Sequence, residues 1–203
     1  MIQRISLYVM AMFLLGTIAV EAQHFKTHRI QIEPLSKTVF RKTDHKTGKS
    51  SSVDLKGRDF LVVSVREPGS DGRVYAVDRD GTIWWSGVVS SGAAGGHETS
   101  NGIFHVILKR RFHMSHSHPS SNGVNNMDFE IEFTPDGEAL HLGNVHAMSH
   151  GCIHVGRQDI GALFGWAKVG MPVVVLRGSY KPFLNREVQA FRDDIEMFNS
   201  LHY

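Results

Sequence analysis

The chain has 203 residues, of which 41% are hydrophobic and 21% are charged, and its formal net charge is only +2. This composition is typical of a globular protein and excludes a disordered chain. The low net charge excludes a nucleic-acid binder that works through massed basic residues. The single cysteine excludes an internal disulfide framework and a Cys-rich zinc site. We therefore expect a folded body and no nucleic-acid partner.

The N-terminus has the pattern of an export signal. Arg4 supplies positive charge, and the uncharged, mostly apolar stretch Ile5–Val20 follows it. This stretch is shorter than the roughly 20 residues that span a bilayer, and Val20-Glu21-Ala22 is an acceptable cleavage site. We predict that residues 1–22 are a cleaved signal peptide. The alternative is an uncleaved N-terminal anchor, which would then be the only membrane contact. Both interpretations place the rest of the chain in the periplasm or cell envelope.

Three parts are predicted beyond the signal. Residues 23–58 are polar and rich in Lys, Thr and Ser, which predicts an arm or linker. Residues 59–178 contain closely spaced strand patterns and form the predicted body. Residues 179–203 form a tail in which the apolar stripe of Arg186–Leu201 predicts an amphipathic helix.

The body is predicted to be mostly β. Apolar, β-branched or alternating segments bounded by turn residues predict strands at Phe60–Val65, Val74–Val77, Thr82–Val89, Ile103–Leu108, Met127–Thr134, Glu138–Leu142 and Met171–Leu176. One helix is predicted over Asp159–Val169, where apolar residues recur at helical spacing and Gly170 ends the pattern.

The only cysteine lies in a histidine-rich segment between a predicted strand and the predicted helix. A nearby imidazole can accept the thiol proton and stabilise the thiolate, which lowers the pKa of the cysteine. Gly151, directly before Cys152, leaves room for a substrate carbonyl and backbone amides that can bind an oxyanion. The segment therefore predicts a nucleophile turn. The alternative is a buried structural cysteine.

The segment Ser149–Ile153 (SHGCI) resembles the SHGC signature of the L,D-transpeptidase (YkuD-type) catalytic domain. Other segments follow in the family's order. Ser90-Ser91-Gly92 resembles its S-x-G, Thr99–Phe104 resembles its T-P-x-G-x-F, and Ile160–Leu176 resembles the passage after its cysteine. The resemblance covers roughly residues 59–178, which makes this body the predicted catalytic domain.

The resemblance implies a sandwich-like, mostly β fold and a cysteine acyltransferase that acts on peptidoglycan stem tetrapeptides. Cys152 would attack the third stem residue, release D-alanine and hold the acyl group as a thioester. An amine would then resolve the thioester to a 3–3 cross-link. The alternative is an L,D-carboxypeptidase, in which water resolves it to a tripeptide. A further alternative is a non-catalytic wall-binding or metal-binding module. No metal or organic cofactor is implied.

The resemblance also implies roles for single residues. His141 matches the upstream histidine that acts as the base for the thiol, and His150 matches the motif histidine with a positioning role. The amides around Gly151 and Cys152 would form the oxyanion hole. Ser149 would shape the substrate pocket by hydrogen bonding.

The chain departs from the family's pattern around these residues. His141 precedes Cys152 by 11 positions, which resembles the shorter-loop branch of the family. Within this loop Asn144 and His146 are candidate substrate-binding residues, and His146 is also a rival base. We favour His141 because a strand end holds a base more rigidly than a loop tip. His154 stands where the family often has Arg or Asn, and it is a further candidate substrate contact.

Two other features bear on the site. Ser100 replaces the family's proline, and we expect this change to cost only local rigidity. The segment with His113, His116 and His118 could bind zinc or copper. Its Ser, Pro, Asn and Gly neighbours favour instead a solvated flap that could contact substrate.

Overall fold

The computed structural model describes residues 29–66, 71–115 and 125–184. Over these ranges the chain forms fourteen strands and one α-helix, and the mostly β fold class is confirmed. None of the helical structure in these ranges is long and apolar enough to cross a membrane. The predicted signal segment, the predicted helix Arg186–Leu201, and His116 and His118 lie outside the described residues.

A small sheet precedes the body, where the sequence predicts an arm or linker over residues 23–58. Its three antiparallel strands are β1 (Ile30–Pro34), β2 (Val39–Asp44) and β3 (Lys49–Asp54). Ile32 and Phe40 are buried with Leu55 in a cluster that includes residues of the main sheet. These few apolar side chains are therefore enough to dock the segment. The sequence analysis did not predict these strands, because polar composition gives little sign of how three apolar side chains are placed.

The main sheet has nine strands. They are β4 (Phe60–Val65), β5 (Gly72–Val77), β6 (Ile83–Ser90), β7 (Gly102–His105), β8 (Leu108–Arg110), β11 (Glu130–Glu132), β12 (Ala139–Leu142), β13 (Ile153–Val155) and β14 (Pro172–Arg177). Their spatial order is β7-β14-β4-β5-β6-β13-β12-β11-β8. The short strands β9 (Met114–Ser115) and β10 (Asn125–Asn126) pair separately.

The sheet curls so that its two edges approach each other. Strands β7 and β8 lie at opposite ends of the sheet order, yet only two residues separate them in the chain. The amide of Val106 donates to the carbonyl of Met171, and the amide of Ile107 donates to the carbonyl of Glu132. The predicted strand Ile103–Leu108 is therefore divided at the point where the chain passes from one edge to the other.

Alternating side chains of the central strands fill two cores. Leu61 and Val63 of β4 face one core, where they pack with the α1 helix (Arg157–Trp166), and Phe60 and Val62 face the other, under the small sheet. The helix ends earlier than its predicted limit because Ala167 has an extended backbone. The side chain of Lys109 donates to the carbonyls at this helix end.

The strand predicted over Met127–Thr134 is shorter in the structure, where β11 covers only Glu130–Glu132. Phe129 has a φ of +58°, a left-handed conformation that interrupts the extended backbone. Glu130 is only 1% exposed and forms an ion pair with Arg110. Glu130 and Glu132 of this segment therefore line the cavity described next.

Candidate active site

Two parallel neighbouring strands position the candidate nucleophile and its base. His141 of β12 is paired in register with His154 of β13, and their ring centroids are 5.1 Å apart. Leu140 is paired with Ile153, so Cys152, one residue before β13, lies level with the start of β12. The loop between the strands runs from one end of the sheet to the other, and the SHGC segment forms its last turn.

The turn that carries the cysteine is held from within by Ser149. Its Oγ donates to the carbonyl of Cys152 at 2.6 Å and accepts from the amide of Gly151 at 3.0 Å. Gly151 has a φ of +124°, a conformation that residues with a side chain rarely adopt. The serine and the glycine of the motif are therefore explained by the shape of the turn.

A neighbouring loop holds the same turn from outside. The Oγ1 of Thr99 donates to the carbonyl of Gly151 at 2.8 Å and accepts from the amide of Gly92 at 3.0 Å. A side chain at Gly92 would collide with the carbonyl of His97 and the Cα of Gly151. The backbone of this loop therefore packs directly on the nucleophile turn.

The Cys152 thiol is protonated at neutral pH in this structure. Its Sγ donates to the carbonyl of Gly137 at 3.8 Å. Burial, with smaller contributions from the nearby carboxylates of Glu138 and Glu130, raises the pKa of the thiol to about 11. The lowered pKa expected from the histidine-rich sequence is thus not found, because burial dominates the surroundings of the thiol. A nucleophilic role for this thiol would therefore require a base that takes its proton.

His141 is suited to be that base. It is 1% exposed, and its Nδ1 donates to the carbonyl of Leu142 at 2.8 Å, which leaves the lone pair on Nε2. The buried Nε2 has no hydrogen-bond partner among the described residues. Burial, with a smaller contribution from His154, lowers the pKa of His141 to about 4. The imidazole is therefore neutral and able to accept a proton at pH 7.

Most of the sequence-predicted residues border one cavity of about 560 Å³. Its lining includes Ser149, His150, Cys152, His141 and His154. It also includes the acidic residues Glu130, Glu132, Asp136 and Glu138. Gly151 supplies the backbone between two of the lining residues.

Asn144 and His146 do not line this cavity. Both are exposed, and the Oδ1 of Asn144 accepts from the amide of His146 at 2.9 Å in a local turn. His141, and not His146, therefore shares a cavity with Cys152. The assignment of Asn144 and His146 as substrate-binding residues stays a prediction.

The other two histidines of the segment have different surroundings. The Nδ1 of His154 lies 2.7 Å from the carbonyl of Ala147, to which the Oγ of Ser90 also donates at 2.6 Å. His154 thus fixes the loop as well as bordering the cavity. The ring of His150 packs against that of His97, with centroids 4.3 Å apart. The positioning role of His150 and the substrate contact of His154 stay predictions.

Glu138 and Ser100 are parts of the site that the sequence analysis missed. The Oγ of Ser100 donates to the Glu138 carboxylate at 2.9 Å, and the Ser100 amide donates to it at 3.2 Å. Burial raises the pKa of Glu138 to about 7. The only sequence signal was the serine in place of proline, which was interpreted as a loss of rigidity. Proline has neither of these two donors. Serine at this position therefore adds two hydrogen-bond donors that hold the Glu138 carboxylate.

The described part of the candidate metal loop faces the cavity. The Nδ1 of His113 lies 2.9 Å from Glu130, whose carboxylate also binds Arg110. Within residues 29–66, 71–115 and 125–184, no three His, Cys, Asp or Glu side chains are arranged to hold a metal ion. Because His116 and His118 lie outside these ranges, the zinc or copper prediction for the whole loop stays untested.

The chain is similar to several solved structures and to one family model. No curated protein matches it. Similar solved structures include L,D-transpeptidases from Stackebrandtia nassauensis (22% identity, TM-score 0.48, 62% of this chain and 59% of that one) and Enterococcus faecium (18%, 0.48, 60% and 50%). Another comes from Mycobacterium tuberculosis (17%, 0.49, 73% and 76%). The chain thus spans half to three fifths of the first two proteins.

A family model gives the assignment. The model of the L,D-transpeptidase catalytic domain, YkuD, matches residues 59–175, which is more than half of the chain. This match includes the nucleophile turn, the two paired strands that carry His141 and His154, and the α1 helix. The chain therefore belongs to the YkuD family of L,D-transpeptidase catalytic domains.

Proposed function

We propose that this protein is a cysteine-dependent L,D-transpeptidase that acts on peptidoglycan stem tetrapeptides. One observation carries the proposal: Cys152 borders the same cavity as His141, whose Nε2 has no hydrogen-bond partner in the part of the chain that the structure describes. A nucleophile and a neutral base in one cavity are the minimum that acyl transfer requires.

In the first step the Sγ of Cys152 attacks the carbonyl carbon of the third stem residue. The thiol proton passes to the Nε2 of His141 as the carbon–sulfur bond forms. The bond to D-alanine then breaks, and the same proton passes from His141 to the leaving amine. A thioester on Cys152 and free D-alanine result, and no metal or organic cofactor takes part.

The developing oxyanion needs donors at the nucleophile turn. The amide of Gly151 is already engaged by Ser149, so we propose the amide of Cys152 as the first donor to the oxyanion. Ser149 acts on catalysis by shaping this turn. His150 positions the substrate at the mouth of the cavity.

In the second step an amine of another stem peptide attacks the thioester and forms a 3–3 cross-link. The alternative outcome is that water attacks and leaves a tripeptide, which would make the protein an L,D-carboxypeptidase. The two activities share Cys152 and His141 and differ only in the acceptor. The acidic lining of the cavity favours the amine, which reaches the site as a cation.

The proposed substrate lies in the cell wall, and this agrees with export. We propose that residues 1–22 direct the chain to the periplasm or cell envelope, as a cleaved signal or as an anchor. Peptidoglycan stem peptides are the proposed partners, with no nucleic acid.

The proposal is tested by product analysis. The protein is incubated with a disaccharide-tetrapeptide, and the products are identified by mass spectrometry, with Cys152→Ala as the control. We expect cysteine-dependent loss of D-alanine and dimers among the products. Tripeptide without dimers would identify a carboxypeptidase. Release of D-alanine by Cys152→Ala would contradict the mechanism, and an inert but folded wild-type protein would favour a non-catalytic wall-binding module.

A further inference from the structure

A carboxylate that the proposed first step does not use lies beside the nucleophile. Glu138 lines the same cavity as Cys152. The thiol sulfur contacts the backbone on both sides of it, since Sγ donates to the carbonyl of Gly137 and accepts from the amide of Ala139. The segment that carries Glu138 is therefore the segment on which the nucleophile rests.

Ser100 fixes the orientation of this carboxylate. Its amide and hydroxyl donate to Oε1 at 3.2 and 2.9 Å, and its amide also lies 3.3 Å from Oε2. A Cβ built on Gly151 would lie 3.5 Å from Oε1. The carboxylate is thus held against the turn immediately before Cys152.

Glu138 has no directly paired cation among the described residues, and the more distant charge of Arg177 does not offset the effect of burial on its pKa. In the described ranges no Lys, Arg or His forms an ion pair with it, whereas Glu130 and Glu132 both pair with Arg110. The charged and titratable groups that face Glu138 are Asp136 of its own turn, Arg177 of β14 and the Cys152 thiol. A half-buried carboxylate in this position is stabilised by a cation that enters the cavity.

We propose that Glu138 binds the primary ammonium of the acceptor and removes one of its protons, so that the amine can attack the thioester on Cys152. This inference rests on the proposed function. It names the residue that selects an amine over water in the second step.

The ammonium gives one proton to the Glu138 carboxylate, and the neutral nitrogen forms a bond to the thioester carbon. The carbon–sulfur bond then breaks. The second nitrogen proton passes through the Nε2 of His141 to Sγ and restores the thiol. Glu138 finally releases its proton to water.

The charge of the donor substrate favours this order of events. D-alanine leaves the first step with a negatively charged carboxylate, which an ionised Glu138 repels. The vacated space beside the sulfur is then acidic and suits a cation. A carboxyl whose pKa lies at about 7 is well matched to exchange a proton near neutral pH.

The inference is tested by measuring how the acyl-enzyme divides between reaction with an amine and reaction with water. The protein is given the tetrapeptide donor and Nα-acetyl-lysine as the amine acceptor, and the ratio of amide product to tripeptide is measured from pH 5.5 to 8.5. This ratio does not depend on how fast the acyl-enzyme forms. For wild type we expect the ratio to rise through about pH 7 as Glu138 ionises. For Glu138→Gln we expect at least a tenfold lower ratio at pH 8, on the order of what a lost general base costs, and no rise near pH 7.

Three further variants make the test specific. Asp80→Asn removes an exposed carboxylate outside the cavity lining, and its ratio should stay within about twofold of wild type because its charge is screened by solvent. Ser100→Pro removes both donors to Glu138 and should lower the ratio toward that of Glu138→Gln. Ser100→Ala keeps the amide donor and should have a smaller effect.

The outcomes separate this inference from the proposed function. If wild type releases no D-alanine, the proposed function fails, and this inference fails with it. If D-alanine is released but Glu138→Gln partitions like wild type, only the inference is overturned. A raised KM for the tetrapeptide with an unchanged ratio would place the ammonium site on the donor and would also overturn it. So would a wild-type protein that produces only tripeptide.

Discussion

Thr99 and Gly151 are joined across 52 positions of the chain by a 2.8 Å hydrogen bond from Oγ1 to the backbone carbonyl. The same Oγ1 accepts from the amide of Gly92, and the amide of Ser149 donates to the carbonyl of Ser91. Three of the four family-like segments of the sequence therefore meet at one point. Their common task in this structure is to hold the turn that presents Cys152.

Replacement of Thr99 tests this arrangement. Thr99→Val keeps the shape of the side chain but leaves the buried carbonyl of Gly151 and the buried amide of Gly92 without their partner. We expect the free energy of unfolding to fall by about 2–4 kcal/mol in urea titrations. Thr82→Val, at an exposed position, is the control and should change it by less than about 0.5 kcal/mol. Equal stability of the two variants would show that the bond to the turn is unimportant.

His141 and His146 are the two candidate bases, and only the first borders the cavity. His141→Ala should lower kcat/KM for D-alanine release by about 10²–10⁴-fold because no group then accepts the thiol proton. His146→Ala should lower it by less than about threefold because its side chain is exposed and outside the cavity lining. The reverse order of the two variants would assign the base to His146.

The thiol of Cys152 should be slow to alkylate at neutral pH. With a pKa of about 11, its reaction with iodoacetamide should accelerate about tenfold for each pH unit between 8 and 10. Glu138→Gln removes a negative charge near the sulfur, so alkylation at pH 9 should become faster. Asp80→Asn, at an exposed turn, should leave the rate unchanged. A rate that levels off near pH 7 would instead indicate a thiolate paired with an imidazole.

Glu138 should make the protein less stable as the pH rises. Its pKa is about 7 in the folded state against 4.5 as the reference, so between these values the folded state binds the extra proton. This contribution to stability is complete below pH 4.5 and is lost as the pH rises through 7. Glu138→Gln should therefore be more stable than wild type by about 2–3 kcal/mol at pH 8.

The difference between the two proteins should disappear near pH 4.5. Buried His141 has the opposite effect on stability, because its pKa of about 4 makes the unfolded state bind the extra proton below pH 6.5. Because His141 is present in both proteins, its contribution cancels when the free energy of unfolding of Glu138→Gln is compared with that of wild type at the same pH. Urea unfolding at pH 4.5 and pH 8 provides the measurement, and a constant difference between the two proteins would contradict the assignment.

Patterns along the chain predict the parts of the fold that depend on residues close together in the sequence. The run Phe60–Val65 is a strand with those bounds, and the helical spacing of Ile160 and Leu163 identifies the α1 helix to within a few residues. The motif around Cys152 is sufficient to locate the nucleophile turn. The residues that determine each of these features lie within one short, continuous segment of the sequence.

Features that join distant residues could not be predicted in this way. The small sheet of residues 30–54 depends on how Ile32 and Phe40 meet the main sheet. The hydrogen bonds that hold the Glu138 carboxylate come from Ser100, which lies 38 positions away in the sequence. The raised pKa of Cys152 depends on burial, which follows from the whole fold.

The central claim is that Cys152 carries the acyl group during turnover, and intact-protein mass spectrometry tests it most directly. The protein is mixed with the tetrapeptide, quenched in acid within seconds, and weighed. We predict an adduct with the mass of the tetrapeptide less alanine, located on Cys152 by peptide mapping and absent from Cys152→Ala. D-alanine release at full rate with no adduct on Cys152, or with an adduct on another residue, would contradict the account.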